Sequence, residues 1–286
     1  MAVAVQLVVS GLALGCIYAL LALALVIINK ATDVVNFAQG EMAMLGTFCA
    51  LSALSATGLP LWAVLVAAFP LGALFGLVVE RVAMRPLASA PPINALIATI
   101  GLFLVFHHLA GWIWGYDPYR FPSLFPPEPV TLGGARISQT SLGMLAVALA
   151  VMGLLYLFFE HTRLGIGMRA ASMNRRAAQL MGVNVGRVSM TAWALAGGVS
   201  LVAGILIAPL TFLDFEMMVI VLLKAFAGAI LGGFNSLPGA VVGCLAIGVV
   251  ENLFGAYVST AFKDAFAFGI IVLVLMFRPA GLFRKA

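Results

Sequence analysis

Nine apolar runs dominate this chain, at residues 3–28, 42–57, 61–79, 93–114, 142–159, 188–209, 217–233, 238–257 and 265–277. Each is continuously apolar rather than alternating with period two, which excludes the strands of a membrane β-barrel. A bilayer core of about 30 Å takes about 20 apolar residues of helix, so most of these runs have the length of a crossing. Charged residues make up 9% of the chain and hydrophobic ones 64%, whereas a soluble domain carries about a quarter of its residues charged. There is too little polar surface here to coat a water-exposed globule. The expected fold is all-α: a polytopic membrane helical bundle of roughly eight to ten spans, nine by the count of runs, forming one transmembrane domain over residues 1–286. The first run has no basic segment before it and outlasts the about 7–15 apolar residues of a secretory signal, so it reads as an uncleaved span.

Charge gives the orientation. The island EHTRLGIGMRAASMNRRAAQLMGVNVGRVSM, residues 160–190, carries Arg163, Arg169, Arg175, Arg176 and Arg187 between two apolar runs. With nine crossings and the N-terminus outside, these face the cytoplasm, together with Lys30, Arg81, Arg85, Arg278, Arg284 and Lys285. Only Arg120, Arg136 and Lys263 then fall outside. The opposite orientation inverts that ratio, so N-out, C-in follows from the excess of basic residues on cytoplasmic loops. The net charge of +5 therefore marks membrane flanks and does not point to nucleic acid. The one long extracytoplasmic loop, 115–139, holds five prolines and mixed charge and reads as coil or short turns. Trp112, Trp114, Tyr116 and Tyr119 around its start suit an interfacial aromatic belt. Cys16, Cys49 and Cys244 lie in apolar stretches without paired spacing, as small packing residues do. Gly11/Gly15, Gly72/Gly76 and Gly228/Gly232 have the four-residue spacing that lets helices approach closely.

Several chemistries are missing. No G-x-x-x-x-G-K-[ST] loop occurs, so the chain has no phosphate cradle of that type. H-E-x-x-H and G-x-S-x-G are absent as well, and no metal site is expected. His107 and His108 are adjacent, and neighbours on a helix point in different directions.

Ionisable residues inside a span are costly and are functional candidates by default. Lys224 lies about eight residues from the outer end of its run and Glu251 about seven from the outer end of the next. At about 1.5 Å per residue the two sit at matched depth on antiparallel neighbours. They are expected to pair or to line a polar path. A second candidate is the stretch around residues 30–41, where Asn36, Gln39 and Glu41 separate two apolar runs. Polar irregular backbone at membrane depth needs protein or water around it. A broken or re-entrant helix lining a cavity fits this stretch, and so does a cytoplasmic turn. The third is the basic island. Gly165 and Gly167 break the preceding helix in this reading, and Arg169 to Met181 forms one short amphipathic helix stopped by Gly182. A helix rich in small residues suits insertion into a cleft on another protein.

At these residues the chain resembles bacterial branched-chain amino-acid ABC transporter permeases of the LivH type. The resemblance is carried by Gly11-Leu12-Ala13-Leu14-Gly15-Cys16-Ile17-Tyr18-Ala19-Leu20, by Asn36-Phe37-Ala38-Gln39-Gly40-Glu41-Met42, by Glu80-Arg81 with Arg85-Pro86, and by Leu164-Gly165 through Gly182-Val183. Lys224-Ala225-Phe226, Leu231-Gly232-Gly233, Pro238-Gly239-Ala240 and the terminal Arg278-Pro279-Ala280-Gly281-Leu282-Phe283 continue it in order along the whole chain. It implies a multi-pass permease of the bacterial inner membrane. Such a permease pairs with a second related permease, as homo- or heterodimer, and is served by two cytoplasmic ATPase subunits and a periplasmic substrate-binding protein. The chain itself then needs no cofactor, and ATP and Mg belong to the ATPase subunits. Arg176-Ala177-Ala178 with Gly182 is similar to the E-A-A-x-x-x-G pattern by which importer permeases contact their ATPases, with arginine in place of the glutamate. The resemblance thus implies a coupling segment at 160–187 comprising Gly165, Arg169, Ala170, Ala171, Arg175, Arg176, Ala177, Ala178 and Gly182. Asn36, Gln39, Glu41, Lys224 and Glu251 are the translocation-path candidates. Branched-chain or other small amino acids are the implied cargo; urea or short amides suit the mostly apolar wall almost equally. By physics alone, an ion-coupled secondary transporter using Lys224, Glu251 and Glu41 is the alternative. A channel lined by Asn36 and Gln39 is a third reading, and an intramembrane enzyme has no visible constellation.

Overall fold

A computed structural model of the chain describes residues 2–126, 128–132, 135–234 and 236–277. Arg278 and the terminal motif it opens, with Arg284 and Lys285, lie outside the described residues. The apolar runs become helices: α1 (Ala2–Thr32), α2 (Gln39–Thr57), α3 (Leu61–Val79), α4 (Pro92–Trp114), α5 (Gln139–His161), α8 (Val185–Thr211), α9 (Met217–Gly232), α10 (Leu237–Tyr257) and α11 (Lys263–Phe277). Two short helices, α6 (Arg163–Met173) and α7 (Arg175–Leu180), stand between α5 and α8. Helix α3 runs on through a π turn at Glu80–Met84 and a tighter turn at Arg85–Leu87. Among the described residues six helices are long and apolar enough to cross a membrane: α1, α3 with its two turns, α4, α5, α8 and α10. The chain is an all-α polytopic membrane protein with one small addition. In the long loop, β1 (Pro129–Leu132) pairs antiparallel with β2 (Ala135–Ser138), setting Val130 opposite Ile137 and Thr131 opposite Arg136. The sequence reading expects coil there. The β-branched Val130, Thr131 and Ile137 favour the pleated pairing instead.

The chain divides into two compact units. One comprises Met1–Val26, Pro122–Leu149 and Val219–Ala286, and the other Ile27–Phe121 and Ala150–Met218. In the first, α1 lies antiparallel on α10. A Cβ placed on Gly11 would come within 2.8 Å of the Gly248 carbonyl, and one on Gly15 within 2.8 Å of the Leu245 Cα. Asn252 Nδ2 donates to the Leu7 carbonyl at 2.6 Å on the same seam. Helix α10 also packs on α9, where a Cβ on Gly228 would meet the Cys244 backbone at 2.8 Å and one on Gly232 would overlap the Gly239 carbonyl.

The second unit is built around α8. Cβ atoms on Gly72 and Gly76 would overlap the carbonyls of Gly197 and Trp193, so α3 and α8 run antiparallel with their backbones in contact. Helix α2 runs in the same direction as α8: Gly46 faces Leu201, and Gly204 faces Thr47 and the Ala43 carbonyl. All three glycine pairs singled out in the sequence thus sit where backbones touch. In hydrocarbon, helices gain nothing from hiding apolar side chains from one another, and close packing is what holds them. The ends of this unit differ. Trp114 Nε1 donates to Ser52 Oγ at 2.7 Å, and Tyr119 and Leu213 exchange backbone hydrogen bonds, which gathers the C-terminal ends of α2, α4 and α8 at one end. The opposite end carries Arg81 and Arg85 after α3 and Arg187 at the start of α8.

Gly76→Val is expected to force the α3–α8 seam apart, at a cost of about 1–3 kcal/mol or more for overpacking. Gly101, whose Cβ would meet nothing within 4 Å, is the control: Gly101→Ala should be neutral or gain up to about 1 kcal/mol of helix propensity. Thermal unfolding in mild detergent compares them. Equal melting of Gly76→Val and the wild type would show that the seam tolerates a side chain.

Candidate functional site

The polar residues gather in two clusters, one in each unit, and the basic island forms a third feature. In the unit centred on α8, α1 ends at Thr32, and Asp33 takes a left-handed φ of +58°. The chain then turns through residues 34–38 into α2. Asn36 organises the turn. Its Oδ1 accepts from the Ala38 N–H at 3.1 Å, and its Nδ2 donates to Gln39 Oε1 at 2.7 Å. Gln39 in turn donates through Nε2 to the Ala196 carbonyl at 3.1 Å and to Ser200 Oγ at 2.6 Å. Thr99 Oγ1 lies 3.3 Å from the Val35 carbonyl and 2.8 Å from that of Leu96, the nearer acceptor for its one hydrogen. One turn on, Glu41 Oε2 lies 3.3 Å from His107 Nδ1, and Phe103 and Phe215 flank that imidazole. Asn36 and Gln39 are fully buried and Glu41 is 1% exposed.

The partners set the depth of this turn. Ser200 lies past the middle of α8 and His107 past the middle of α4, each counted from its N-terminal end. Helix α2 therefore begins well inside the unit and not at the end that bears Arg81 and Arg187. A polar backbone turn so placed needs protein around it, and Asn36 supplies part of that: its side chain accepts from the Ala38 N–H and its carbonyl from the Gln39 N–H.

In the other unit, Lys224 Nζ lies 2.7 Å from Glu251 Oε1 and 2.6 Å from Asp264 Oδ1. Tyr18 of α1 donates its hydroxyl to Glu251 Oε2 at 3.2 Å and sets its ring 5.7 Å beneath the ammonium. Lys263 Nζ stands 3.8 Å from Glu251 Oε1. The structure brings Lys224 and Glu251 together as the matched depths suggest. It adds Tyr18, Asp264 and Lys263, which sequence reasoning misses. In sequence, Asp264 and Lys263 look like ordinary outer-end charges, and Tyr18 is one aromatic within an apolar run.

The basic island departs from its expectation. The break after α5 falls at Thr162, whose Oγ1 caps α6 by accepting from the Gly165 N–H at 3.0 Å. Gly165 and Gly167 lie inside α6. Gly165 serves close packing instead, because a Cβ there would overlap the Phe158 carbonyl. Arg169 to Met181 is not one helix. Asn174, in extended conformation, ends α6 and caps α7 by accepting from the Ala177 N–H at 2.9 Å. Asn competes with the helix for backbone hydrogen bonds and so favours caps. Gly182 does stop the segment, at φ +86°. Ala171 and Ala178 are buried, Arg169 and Ala170 are partly exposed, and Arg175, Arg176 and Ala177 are exposed. Arg169 also pairs with Glu160 at 2.7 Å on the surface. Beside these arginines, Met173, Leu180 and Met181 are 86–89% exposed. Among the described residues, no group of three or more His, Cys, Asp or Glu gathers as metal ligands would.

Comparison with known proteins finds relatives along almost the whole chain. The profile of the family described as "Branched-chain amino acid transport system / permease component" matches residues 7–275. The chain is 32% identical to the high-affinity branched-chain amino acid transport system permease protein LivH of Salmonella typhimurium, covering 96% of this chain and 94% of that one. It is 31% identical to the corresponding protein BraD of Pseudomonas aeruginosa, over 98% and 95% of the two chains. A probable branched-chain amino acid transport permease protein of Methanocaldococcus jannaschii is 31% identical over 90% and 84%.

Lys224→Met strands a buried carboxylate, and breaking a buried pair in this way costs about 3–5 kcal/mol. Glu251→Gln should cost less, because Lys224 keeps Asp264 at 2.6 Å. The double variant Lys224→Met with Glu251→Gln should melt above Lys224→Met alone, because it leaves neither charge of the pair buried without its partner. If the double variant loses the sum of the two single losses, the two residues do not interact directly.

Proposed function

This chain belongs to the branched-chain amino acid transport permease family, and from that premise we propose that it is the membrane-spanning permease subunit of a binding-protein-dependent ABC importer. Branched-chain or other small amino acids are its cargo, moved across the bacterial inner membrane. In this reading it works beside a second related permease, receives substrate from a periplasmic binding protein, and is driven by two cytoplasmic ATPase subunits that hold the ATP and Mg. The names of its relatives speak for transport through the permease protein of a transport system. They do not favour the ion-coupled alternative.

The observation that carries the proposal is the surface at 163–182. A short two-helix segment presents exposed Met173, Leu180 and Met181 beside exposed Arg175 and Arg176. Large apolar side chains ringed by charge mark a protein–protein contact. The segment follows the end of α5 and packs through α6 on α8, the helix whose first turn carries Arg187. Residues 160–187 are thus the coupling segment, with Gly165, Arg169, Ala170, Ala171, Arg175, Arg176, Ala177, Ala178 and Gly182 shaping it. Counting α2 as a crossing that starts within the membrane, α1–α5 and α8–α11 make nine, with the N-terminus outside. Arg81, Arg85 and the coupling segment then face the cytoplasm, and the 115–139 loop faces the periplasm, as the positive-inside rule requires.

Transport proceeds by alternating access. ATP binding closes the ATPase dimer and displaces the coupling segment, and the path opens to one side and then the other. The free energy comes from the different affinities of ATP and of substrate-loaded binding protein for the two states. Asn36, Gln39 and Glu41 at the recessed start of α2 are candidates to border the path, and so, within their own unit, are Lys224 and Glu251.

Arg175→Glu with Arg176→Glu should cut ATPase subunit recovered with the chain from mild detergent at least about tenfold, since charge reversal at an interface costs several kcal/mol. Radiolabelled leucine uptake should fall in parallel. Absence of any ATPase subunit from the wild-type complex, with its other components intact, would overturn the importer reading.

A further inference from the structure

The network around Lys224 does not tie its helices together evenly. Lys224 on α9, Glu251 on α10 and Tyr18 on α1 form its buried part: Lys224 and Glu251 have side chains 5% and 3% exposed. Asp264 and Lys263, both in the first turn of α11, reach solvent, with side chains 40% and 41% exposed. Four formal charges are involved, and they divide into two neutral pairs along this boundary. Lys224 and Glu251 cancel within the buried part, as Lys263 and Asp264 do on α11.

This division decides what separation would cost. If the start of α11 moved away, Lys224 would keep Glu251 at 2.7 Å and the Tyr18 ring. Glu251 would keep the Tyr18 hydroxyl. No uncompensated buried charge would be created, which is the expensive outcome. Asp264 and Lys263 are already part-solvated, and half-exposed pairs contribute little. Apart from these charges, α11 packs on α10. The Phe254 and Phe266 rings stack with centroids 3.8 Å apart. The Lys263 stem passes over Gly255, where a Cβ would sit 3.6 Å from it. The link from α10 is five residues long, Val258 to Phe262.

We infer that the first turn of α11 is a latch, closed on α9 and α10 in the state described and released in another state of the transport cycle, with Asp264 and Lys263 as its positioning residues. They act through Lys224 and Glu251 and not on the cargo. Asp264 is the decisive contact, because among the described residues of α11 it makes the short bond to the buried ammonium. This inference rests on the permease reading for the existence of a cycle.

The test is a distance measurement across the latch in the complete transporter. Spin labels are placed at Ile220→Cys on α9 and Phe262→Cys before α11, both on exposed side chains, with the exposed Cys49 replaced by Ser. Pulsed dipolar spectroscopy in lipid nanodiscs is run without nucleotide and after trapping with ATP and vanadate. Two distances are expected, with trapping changing their ratio. Asp264→Asn should shift that ratio at least fivefold toward the longer distance without nucleotide, Asp264→Glu should restore it, and the melting temperature should stay near the wild type. A single distance in every condition, or a ratio unmoved by Asp264→Asn, overturns the latch. So does Asp264→Asn melting as early as Lys224→Met, which would make Asp264 merely structural. Leucine uptake by the labelled complex is scored separately: its absence strikes the permease reading, whereas the distances judge the latch.

Discussion

Backbone contact through glycine is the constraint on which the rest of this structure depends. Lipid tails are as apolar as leucine, so a membrane helix gains little by exchanging lipid for another helix unless the two surfaces fit closely. At Gly72, Gly76 and Gly197 the α3 and α8 backbones touch, and at Gly11, Gly15 and Gly248 those of α1 and α10 do. The polar chemistry follows from that closeness. Asn252 reaches the Leu7 carbonyl because α1 and α10 are in contact. Gln39 reaches both Ala196 and Ser200 because α2 lies against α8 along the Gly46 and Gly204 contacts. A side chain at one of these glycines would do more than crowd a neighbour. It would withdraw the partners that make buried polar groups tolerable.

Much of the scaffold was legible in the sequence, because hydropathy in a membrane chain is nearly one-dimensional. The run at 61–79 coincides with α3, and the run at 238–257 matches α10 to one residue. The Lys224–Glu251 pair was legible for a similar reason: two charges at equal depth on consecutive antiparallel helices have few other places to go. What escaped depends on three-dimensional neighbours or on weak local signals. Tyr18 meets Glu251 across 233 residues of chain, and nothing in its own surroundings announces that. The recessed start of α2 is one of the two readings its polar stretch allows, and its depth shows only in the contacts of Gln39 with Ser200 and of Glu41 with His107. Asn174 did carry a signal, since Asn is a helix cap, but the alanines and arginines around it favour an unbroken helix and mask the break. The β1–β2 pairing was hidden by the prolines before it.

The charged network also weighs on the choice between transport mechanisms. A proton-coupled carrier needs an ionisable group that exchanges its proton with solvent during the cycle. In the Lys224 cluster two carboxylates lie within 2.7 Å of the ammonium, so its short polar contacts are to other side chains of the protein. Glu251 is held in turn by Lys224 and by the Tyr18 hydroxyl. The cluster is therefore better suited to fixing helix positions than to carrying protons. Replacing such a cluster with apolar residues often costs nothing in stability, so its value lies in specifying which helices meet, and in what register.

On the permease reading, force applied at the cytoplasmic side must reach the recessed turn before α2, and among the described residues α8 touches both ends of that route. Helix α6 packs on α8 and, at Gly167, meets Val183 just before it, and α8 carries the Ala196 carbonyl and the Ser200 hydroxyl that hold Gln39 near its middle. Backbone contact with α3 on one side and α2 on the other leaves α8 little freedom to bend or to slip alone, because sliding would drive glycine backbones into side chains. A push on α6 is therefore transmitted by α8 as a rigid body, carrying α2 and α3 with it. The hydrogen bonds at Asn36 and Gln39 are the yielding part of such a system. They are few and lie where regular helix is interrupted, so the turn before α2 is where a rigid displacement of α8 becomes a change in the polar surface beside the path.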